Sequence, residues 1–215
     1  MLKGTTLGIL FLLLPGIILA KMRIMGRTHC TEHKMRQYLL KKNPKVCEKY
    51  LGYAKFFLEE GKREGVRGDL AFAQSLHETK FFKFGGDVKP VQNNFAGLGT
   101  TGNGNPGLSF KTPQEGVRAQ IQHLKAYASK KKLNQRCVDP RFNLVKQRGC
   151  APYIEDLSGL WACPGYDPKV YKSLKDAFKH GDSYGHKIRN ICFEMCQLNS
   201  SVKTGTKHKI RLGQN

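Results

Sequence analysis

Acidic residues are scarce in this 215-residue chain: 16 Asp and Glu stand against 37 Lys and Arg, and the formal net charge is +21. Such an excess of positive charge attracts polyanions, which include nucleic acid, anionic lipid and a cell wall that carries carboxylates and phosphates. Helix-turn-helix, zinc-finger and RNA-binding signatures are missing, and nucleic acid is therefore not the expected partner. A hydrophobic content of 40% is that of a globular protein. The length suits one domain with appendages.

Long apolar runs are lacking beyond residue 20. Before it, Lys3 precedes an apolar run over residues 7–14, which Pro15 interrupts and residues 17–20 resume. A positive start followed by a short apolar stretch is typical of a secretory signal, which we expect over residues 1–21. The run is short for a membrane-spanning helix, and an uncleaved anchor is the alternative. The protein is therefore expected to be secreted or membrane-anchored.

Cysteine is more frequent, with seven residues in the chain. This number fits export if several are paired, and its being odd leaves at least one thiol free or intermolecular. Cys137 and Cys150 bracket a short loop that a disulfide could close. Cys192 and Cys196 lie four residues apart, as metal ligands can, but no His or Cys pair with ligand spacing accompanies them. Buried thiols are the favoured interpretation, and neither a metal nor another cofactor is expected.

Apolar spacing and capping residues predict a mostly helical α+β domain over residues 24–198. Residues 85–110 are rich in Gly and Asn and are expected to form a loop or short hairpin. Residues 199–215 are polar and basic, which predicts a disordered tail. The expected helices cover residues 31–41, 46–60, 70–82, 112–128, 153–160, 169–178 and 184–198.

The predicted helix over residues 70–82 is apolar on nearly every side, which indicates that it is buried. Glu78 is its only acidic residue after the cap, and Ala71, Gln74 and Phe82 flank it on a helical wheel. A carboxyl in such surroundings tends to stay neutral, because burial raises its pKa. A neutral carboxylic acid is what protonation of a glycosidic oxygen requires. The residues alone favour the alternative, a Glu near a helix end that reaches solvent or pairs with Lys80 or Lys83.

The following loop combines two amides, one aromatic ring and several small residues: Asn93, Asn94, Phe95, Gly97 and Gly99. Amide side chains match sugar hydroxyls, and aromatic faces cover sugar rings. A plain Asn-Gly turn is the alternative interpretation.

Residues 73–82, Ala-Gln-Ser-Leu-His-Glu-Thr-Lys-Phe-Phe, together with residues 92–97, Gln-Asn-Asn-Phe-Ala-Gly, resemble the glucosaminidases of glycoside hydrolase family 73. Members of this family have a helix that ends in a Glu-Ser/Thr-x-aromatic motif, followed by an Asn-aromatic-x-Gly loop. The resemblance continues in order to about residue 197, through residues 110–127, 137–142, 160–162 and 183–185.

The resemblance implies a lysozyme-like lobe with a small, loop- or hairpin-rich second lobe. It also implies hydrolysis of the β-1,4 bond after N-acetylglucosamine in peptidoglycan. Glu78 matches the general acid of the family, and Tyr184 matches a tyrosine that often lines the cleft. The residues expected to bind the glycan or shape its cleft are Asn93, Asn94, Phe95, Gly97 and Trp161.

The second catalytic group is open. Some members carry a second carboxylate in the loop-rich lobe, yet residues 88–114 contain no Asp or Glu, and Asp87 is the nearest candidate. Asp87 follows two glycines and precedes Lys89, which could pair with it, and this slightly favours the substrate's own N-acetyl group. A lysine-rich stretch between Gly165 and Tyr184 looks like an insertion into the family pattern.

The expected partners are peptidoglycan strands and anionic cell-wall polymers, and the protein is expected to act as a monomer at the bacterial cell wall. A lytic transglycosylase is one alternative, since it also uses a single glutamate but leaves an anhydro-sugar end. A non-catalytic cationic protein that binds the wall is the other, and Glu78 would then be dispensable.

Overall fold

Helices are the main regular structure in the part of the chain that the structure describes. This computed structural model describes residues 20–102 and 104–198. Its helices are α1 (Glu32–Lys42), α2 (Glu48–Glu64), α3 (Gly68–Glu78), α4 (Pro113–Ala128), α5 (Leu174–Lys179) and α6 (Tyr184–Gln197). Short 3-10 turns cover Pro90–Gln92, Phe142–Leu144 and Ile154–Leu157. The prediction of a mostly helical domain is confirmed.

Two predicted segments fall on the ends of the chain. The signal or anchor, apart from its last two residues, and the basic tail over residues 199–215 lie outside the described residues. Within the described ranges, no helix is both long enough and apolar enough to cross a membrane. Residues shortly after the predicted signal are tied to the domain, because isolated β-bridges join Arg23 to Tyr153 and Met25 to Val66.

Helices α1 and α4 begin at threonine caps, as the sequence predicts. The Thr31 hydroxyl accepts a hydrogen bond from the Lys34 N–H, and the Thr112 hydroxyl accepts one from the Glu115 N–H at 3.1 Å. The Glu115 carboxylate accepts in turn from the backbone N–H of Lys111 at 2.9 Å. These bonds satisfy N–H groups that the first helical turn leaves without partners.

Helix α3 ends earlier than its predicted range of 70–82, at Glu78. Beyond it, Lys80, Phe81 and Phe82 all have φ between 51° and 58°, which is the left-handed region that side chains with a Cβ disfavour. The Thr79 hydroxyl accepts from the Phe82 N–H at 2.9 Å and so supports this turn. Glu78 is consequently the last residue of a buried helix and not a mid-helix residue.

Aromatic packing offsets the cost of that left-handed turn. The Phe82 ring is stacked on Tyr50 with 4.9 Å between ring centroids, and it meets Phe95 edge to face at 5.8 Å. Both Phe82 and Phe95 are buried. Pairs of this kind add about 0.5 to 1.5 kcal/mol each beyond the burial of their surface. The turn after Glu78 is therefore held by the hydrophobic core.

Residues 85–110 form a loop in the part that the structure describes. It contains the turn Pro90–Gln92, and its two limbs are joined by backbone hydrogen bonds from Leu108 N–H to Leu98 O (2.9 Å) and from Phe110 N–H to Gln92 O (2.8 Å). Of the two forms predicted for this segment, the loop is the one observed.

Three cysteines meet where α6 ends beside the start of α3. Cys30 and Cys192 are buried, Cys196 is partly buried, and the Cys196 thiol lies 3.7 Å from the Asp69 carboxylate. Both Asp69 oxygens already accept hydrogen bonds from Arg67, and the backbone N–H groups of His29 and Leu70 add two more. Cys192 is thus a buried thiol, as predicted, whereas Cys137 and Cys150 are exposed free thiols.

Candidate active site

Glu78 and Tyr184 meet where α3 packs against α6. The Tyr184 hydroxyl donates a hydrogen bond of 2.5 Å to Glu78 Oε1, although the two residues are 106 positions apart in the chain. Tyr184 is the first residue of α6, and Gly185 allows the helix start to approach the 3-10 turn Ile154–Leu157. A Cβ at Gly185 would lie 2.2 Å from the Ile154 carbonyl oxygen, so any larger residue would displace Tyr184.

Burial raises the pKa of Glu78 to about 7, and the hydrogen bond from Tyr184, with a smaller effect of the nearby Trp161 indole, lowers it in part. No lysine is among these causes, so the pairing with a neighbouring lysine that the sequence allowed is not observed for Glu78. Burial, followed by the nearby Glu78 carboxylate, raises the pKa of Tyr184 well above its ordinary value. Near neutral pH Glu78 therefore has a large population of the protonated acid, while Tyr184 keeps its proton.

Trp161 also lies beside Glu78. Its ring is partly buried, and Nε1 donates to the Ala96 carbonyl oxygen at 3.3 Å. The ring meets His123 edge to face, with 4.9 Å between centroids, and His123 Nδ1 lies 2.8 Å from a buried Asp139 carboxylate oxygen. The indole is thereby fixed between the loop and the body of the domain, with its polar edge near Glu78.

Gly97 brings the backbone of the loop close to the catalytic candidate. It has φ +63°, and a Cβ at this position would lie 3.7 Å from Glu78 Oε2 and 3.3 Å from Thr100 Oγ1. A side chain there would be strained, would crowd Thr100 Oγ1 and would be in van der Waals contact with the carboxyl. The structure thus places the predicted Gly97 directly beside Oε2.

The side chains of Asn93, Asn94 and Phe95 point into the protein. Asn93 donates to the Phe110 carbonyl at 2.9 Å, and buried Asn94 donates to the carbonyls of Leu98 and Leu108. The Phe95 ring is 1% exposed and belongs to the aromatic core. These three residues therefore shape the loop that carries Gly97, and Asn94 also lines a cavity that Glu78 borders.

A cavity of about 170 Å³ connects Glu78 with Asp87, and Gly97 and Thr100 also line it. Asp87 is partly buried and, among the described residues, has no hydrogen bond or ion pair. Lys89, which the sequence suggested as its partner, donates instead to the Gly86 carbonyl at 3.2 Å. The structure brings an unpaired carboxylate to the same cavity as Glu78.

Tyr184 lines a second cavity, which has a volume of about 280 Å³. Its lining includes His77, Lys187 and residues 162–167, part of which belongs to the stretch interpreted as an insertion. Burial and the nearby Lys187 ammonium lower the pKa of His77. Sequence reasoning did not single out His77 or Lys187. Each lies close in sequence to a residue that was recognised, because His77 precedes Glu78 and Lys187 lies three residues after Tyr184 on the same helix.

Comparison with known proteins adds independent information. The glucosaminidase family model, described as mannosyl-glycoprotein endo-beta-N-acetylglucosaminidase, matches residues 54–195. An uncharacterised protein of Borreliella burgdorferi is 45% identical over 149 residues, which cover 68% of this chain and 72% of that protein. No solved structure matches the chain. The residues matched by the family model include Glu78, Asp87, Trp161 and Tyr184.

Proposed function

Because the chain belongs to the glucosaminidase family, a family of glycoside hydrolases, we propose that it hydrolyses the β-1,4 bond after N-acetylglucosamine in peptidoglycan, with Glu78 as general acid. The helices would form a lysozyme-like lobe, and residues 85–110 would form the small second lobe. The observation that supports this function best is a carboxyl group whose pKa is raised to about 7 at the edge of a cavity.

The chemistry of Glu78 follows from its surroundings. Its protonated form gives a proton to the glycosidic oxygen, and the carboxylate that remains accepts the Tyr184 hydrogen bond at Oε1. Hydrogen bonds to an ionised acceptor are stronger than neutral ones, so this contact favours the state that forms as the proton leaves. Trp161 adds a second stabilising contact.

Asp87 is the group that we assign to the second catalytic position. It lines the cavity that Glu78 also lines, and it has no partner in the described part of the chain. Retaining and inverting enzymes both place a second carboxylate across the sugar ring from the acid. The sequence slightly favoured the substrate's N-acetyl group because Lys89 could neutralise Asp87, and that reason is weakened by the Lys89 contact with Gly86.

The charge of the chain fits a cell-wall substrate. A net charge of +21 attracts the protein to wall polymers that carry carboxylates and phosphates. With the apolar run near the start of the chain, this supports action at the bacterial cell wall by a secreted or membrane-anchored monomer. A non-catalytic wall-binding protein would gain nothing from burying an acid without a cationic partner, which costs stability.

Product analysis tests the reaction. The purified protein is incubated with peptidoglycan, and the released fragments are identified by mass spectrometry. Hydrolysis adds one water and leaves a reducing N-acetylglucosamine end, which the proposal predicts. Glu78→Gln should release none of these fragments, and Glu59→Gln on the outer surface of α2 serves as the matched control. Anhydro-sugar ends would identify a transglycosylase, and equal release by wild type and Glu78→Gln would refute the assignment of the acid.

A further inference from the structure

Behind Tyr184, a chain of hydrogen bonds runs through buried polar side chains of α3 and α4. Gln74 Nε2 donates to the Tyr184 hydroxyl oxygen at 3.0 Å, and Gln120 Nε2 donates to Gln74 Oε1 at 2.8 Å. Gln120 Nε2 also donates to the Ala71 carbonyl oxygen at 3.0 Å, and Ser75 donates to Gln120 Oε1 at 2.8 Å. Gln74, Ser75 and Gln120 are fully buried.

The Ala71 carbonyl sets the direction of every hydrogen bond in this series. A backbone carbonyl only accepts hydrogen bonds, so the amide nitrogen of Gln120 must face it. The same nitrogen then faces Gln74, which must present its oxygen to Gln120 and its nitrogen to Tyr184. The reverse orientation of either amide would set two donors or two acceptors against each other in a buried site, at a cost of about 1 to 3 kcal/mol.

Tyr184 has a single hydroxyl proton, and the direction of the hydrogen bonds from Gln120 and Gln74 determines which atom accepts it. Its oxygen accepts from Gln74, and in the described part of the chain its hydroxyl is given one acceptor, Glu78 Oε1. Oε1 is therefore an acceptor in both protonation states of Glu78. The acid proton of Glu78 is left to Oε2, the oxygen beside Gly97 in the cavity shared with Asp87.

We propose that Gln74 and Gln120 are positioning residues that direct the Tyr184 hydroxyl onto Glu78 Oε1 and so keep the acid proton on Oε2, where the glycosidic oxygen is to be protonated. This inference rests on the proposed function only for the use of that proton. The direction of the hydrogen bonds is a property of the folded protein without substrate.

Titration of Glu78 by carboxyl-carbon NMR in the free protein tests the inference without turnover. Gln74→Glu keeps the shape of the side chain. At a pH where the same NMR titration shows the introduced carboxyl to be ionised, that carboxylate still accepts from Gln120 but offers Tyr184 an acceptor in place of a donor. The Tyr184 proton then turns away from Glu78. We expect the pKa of Glu78 to rise by about one unit, the scale of one lost hydrogen bond to a charged group.

A double-mutant cycle separates this effect from simple repulsion by the added carboxyl group. Tyr184→Phe alone should raise the pKa of Glu78 to a similar extent. In the Gln74→Glu, Tyr184→Phe double variant we expect no further rise, because Gln74 acts through the Tyr184 hydroxyl. An additive rise in the double variant would mean repulsion and would overturn the inference, as would an unchanged pKa in Gln74→Glu.

Two further variants complete the test. Ser75→Ala removes a donor to Gln120 but leaves the Ala71 carbonyl to orient that amide, so the pKa of Glu78 should stay the same. Gln120→Glu reverses the direction of the hydrogen bonds one residue farther from Tyr184. It should raise the pKa of Glu78 even if Gln74→Glu fails to fold. If Ser75→Ala shifts Glu78 as much as Gln120→Glu does, general disturbance of the core explains both, and the inference is wrong. Loss of hydrolysis in the wild type would instead contradict the proposed function and leave this titration unaffected.

Discussion

Gly97 lies against the carboxyl of Glu78, close enough that a Cβ added to it would be 3.7 Å from Oε2. The contact joins the loop of residues 85–110 to the end of α3, and it leaves the proton-bearing side of the carboxyl accessible from the cavity. A small residue with φ +63° is needed here for two reasons, backbone conformation and space.

Replacement of Gly97 by alanine should separate these two requirements. We expect Gly97→Ala to lower the free energy of unfolding by about 1 kcal/mol, because of its positive φ. It should also lower kcat/KM by at least about tenfold, because the loop must shift beside Glu78. Gly102→Ala is the matched control, since Gly102 has φ +77° and no atom within 4 Å of an added Cβ. Equal activity losses in the two variants would show that the contact with Glu78 is irrelevant.

Glu78 should make the fold less stable in alkaline solution. Its pKa is raised to about 7 from the ordinary value of 4.5, so the folded state holds the proton more tightly than the unfolded chain. Stability then falls as pH rises from about 4.5 to 7 and stays lower above that range. Urea unfolding should find Glu78→Gln more stable than wild type at pH 8, by roughly 1 to 3 kcal/mol, and similar at pH 4.

The same unfolding measurement has a simple control. Glu59→Gln, at an exposed carboxylate of α2, should show no such difference between the two pH values. If Glu78→Gln were less stable than wild type at pH 8, the carboxylate would be stabilised by its surroundings and would not be a buried acid.

Asp87→Asn tests the identity of the second catalytic group. If Asp87 acts on the far side of the sugar ring, kcat should fall by about 100-fold or more, comparable with the loss of other acid–base groups. A folded variant that keeps kcat within about tenfold of wild type, an activation difference near 1.4 kcal/mol, would assign the role to the N-acetyl group of the substrate. A thermal melt verifies that the variant is folded.

Lys187 lines the second cavity together with Asp167 and pairs with Asp182 at 3.6 Å, whereas the lining of the first cavity includes Asp87 and no Lys or Arg. The peptide stems of peptidoglycan carry free carboxylates, and chitin oligomers do not. We therefore expect Lys187→Met to lower kcat/KM on peptidoglycan by about two- to fivefold, the scale of one exposed ion pair. Its kcat/KM on chitin oligomers should not change. An equal loss on both substrates would mean that Lys187 supports the fold.

Sequence reasoning found α1 to α4 and α6 because their signals are local. The predicted helices over residues 153–160 and 169–178 are observed as the 3-10 turn Ile154–Leu157 and the shorter α5. A threonine cap before an apolar stripe marks α4. The neighbours of Glu78 on its own helix suggested a buried carboxyl, but the family resemblance decided for this interpretation. The early end of α3 could not be read in this way, because three successive non-glycine residues with positive φ are held by aromatic contacts from α2 and the loop.

The rest of the site depends on contacts between distant segments. Tyr184 was found through resemblance alone, since nothing near it in the chain indicates a partner 106 residues earlier. Phe95 was expected near the sugar because aromatic residues often cover sugar rings, yet the core around Tyr53 and Phe82 takes up its ring. An aromatic residue in a loop motif carries no local signal that distinguishes these two positions.

The activity of Glu78→Gln tests the central claim most directly. The substitution preserves shape and the acceptor for Tyr184 but removes the transferable proton, so kcat/KM on purified peptidoglycan should fall by about 100- to 10,000-fold. Glu59→Gln should retain wild-type activity, and circular dichroism should show both variants folded. If folded Glu78→Gln keeps more than about a tenth of the wild-type kcat/KM, a barrier change below 1.4 kcal/mol, Glu78 is not the general acid.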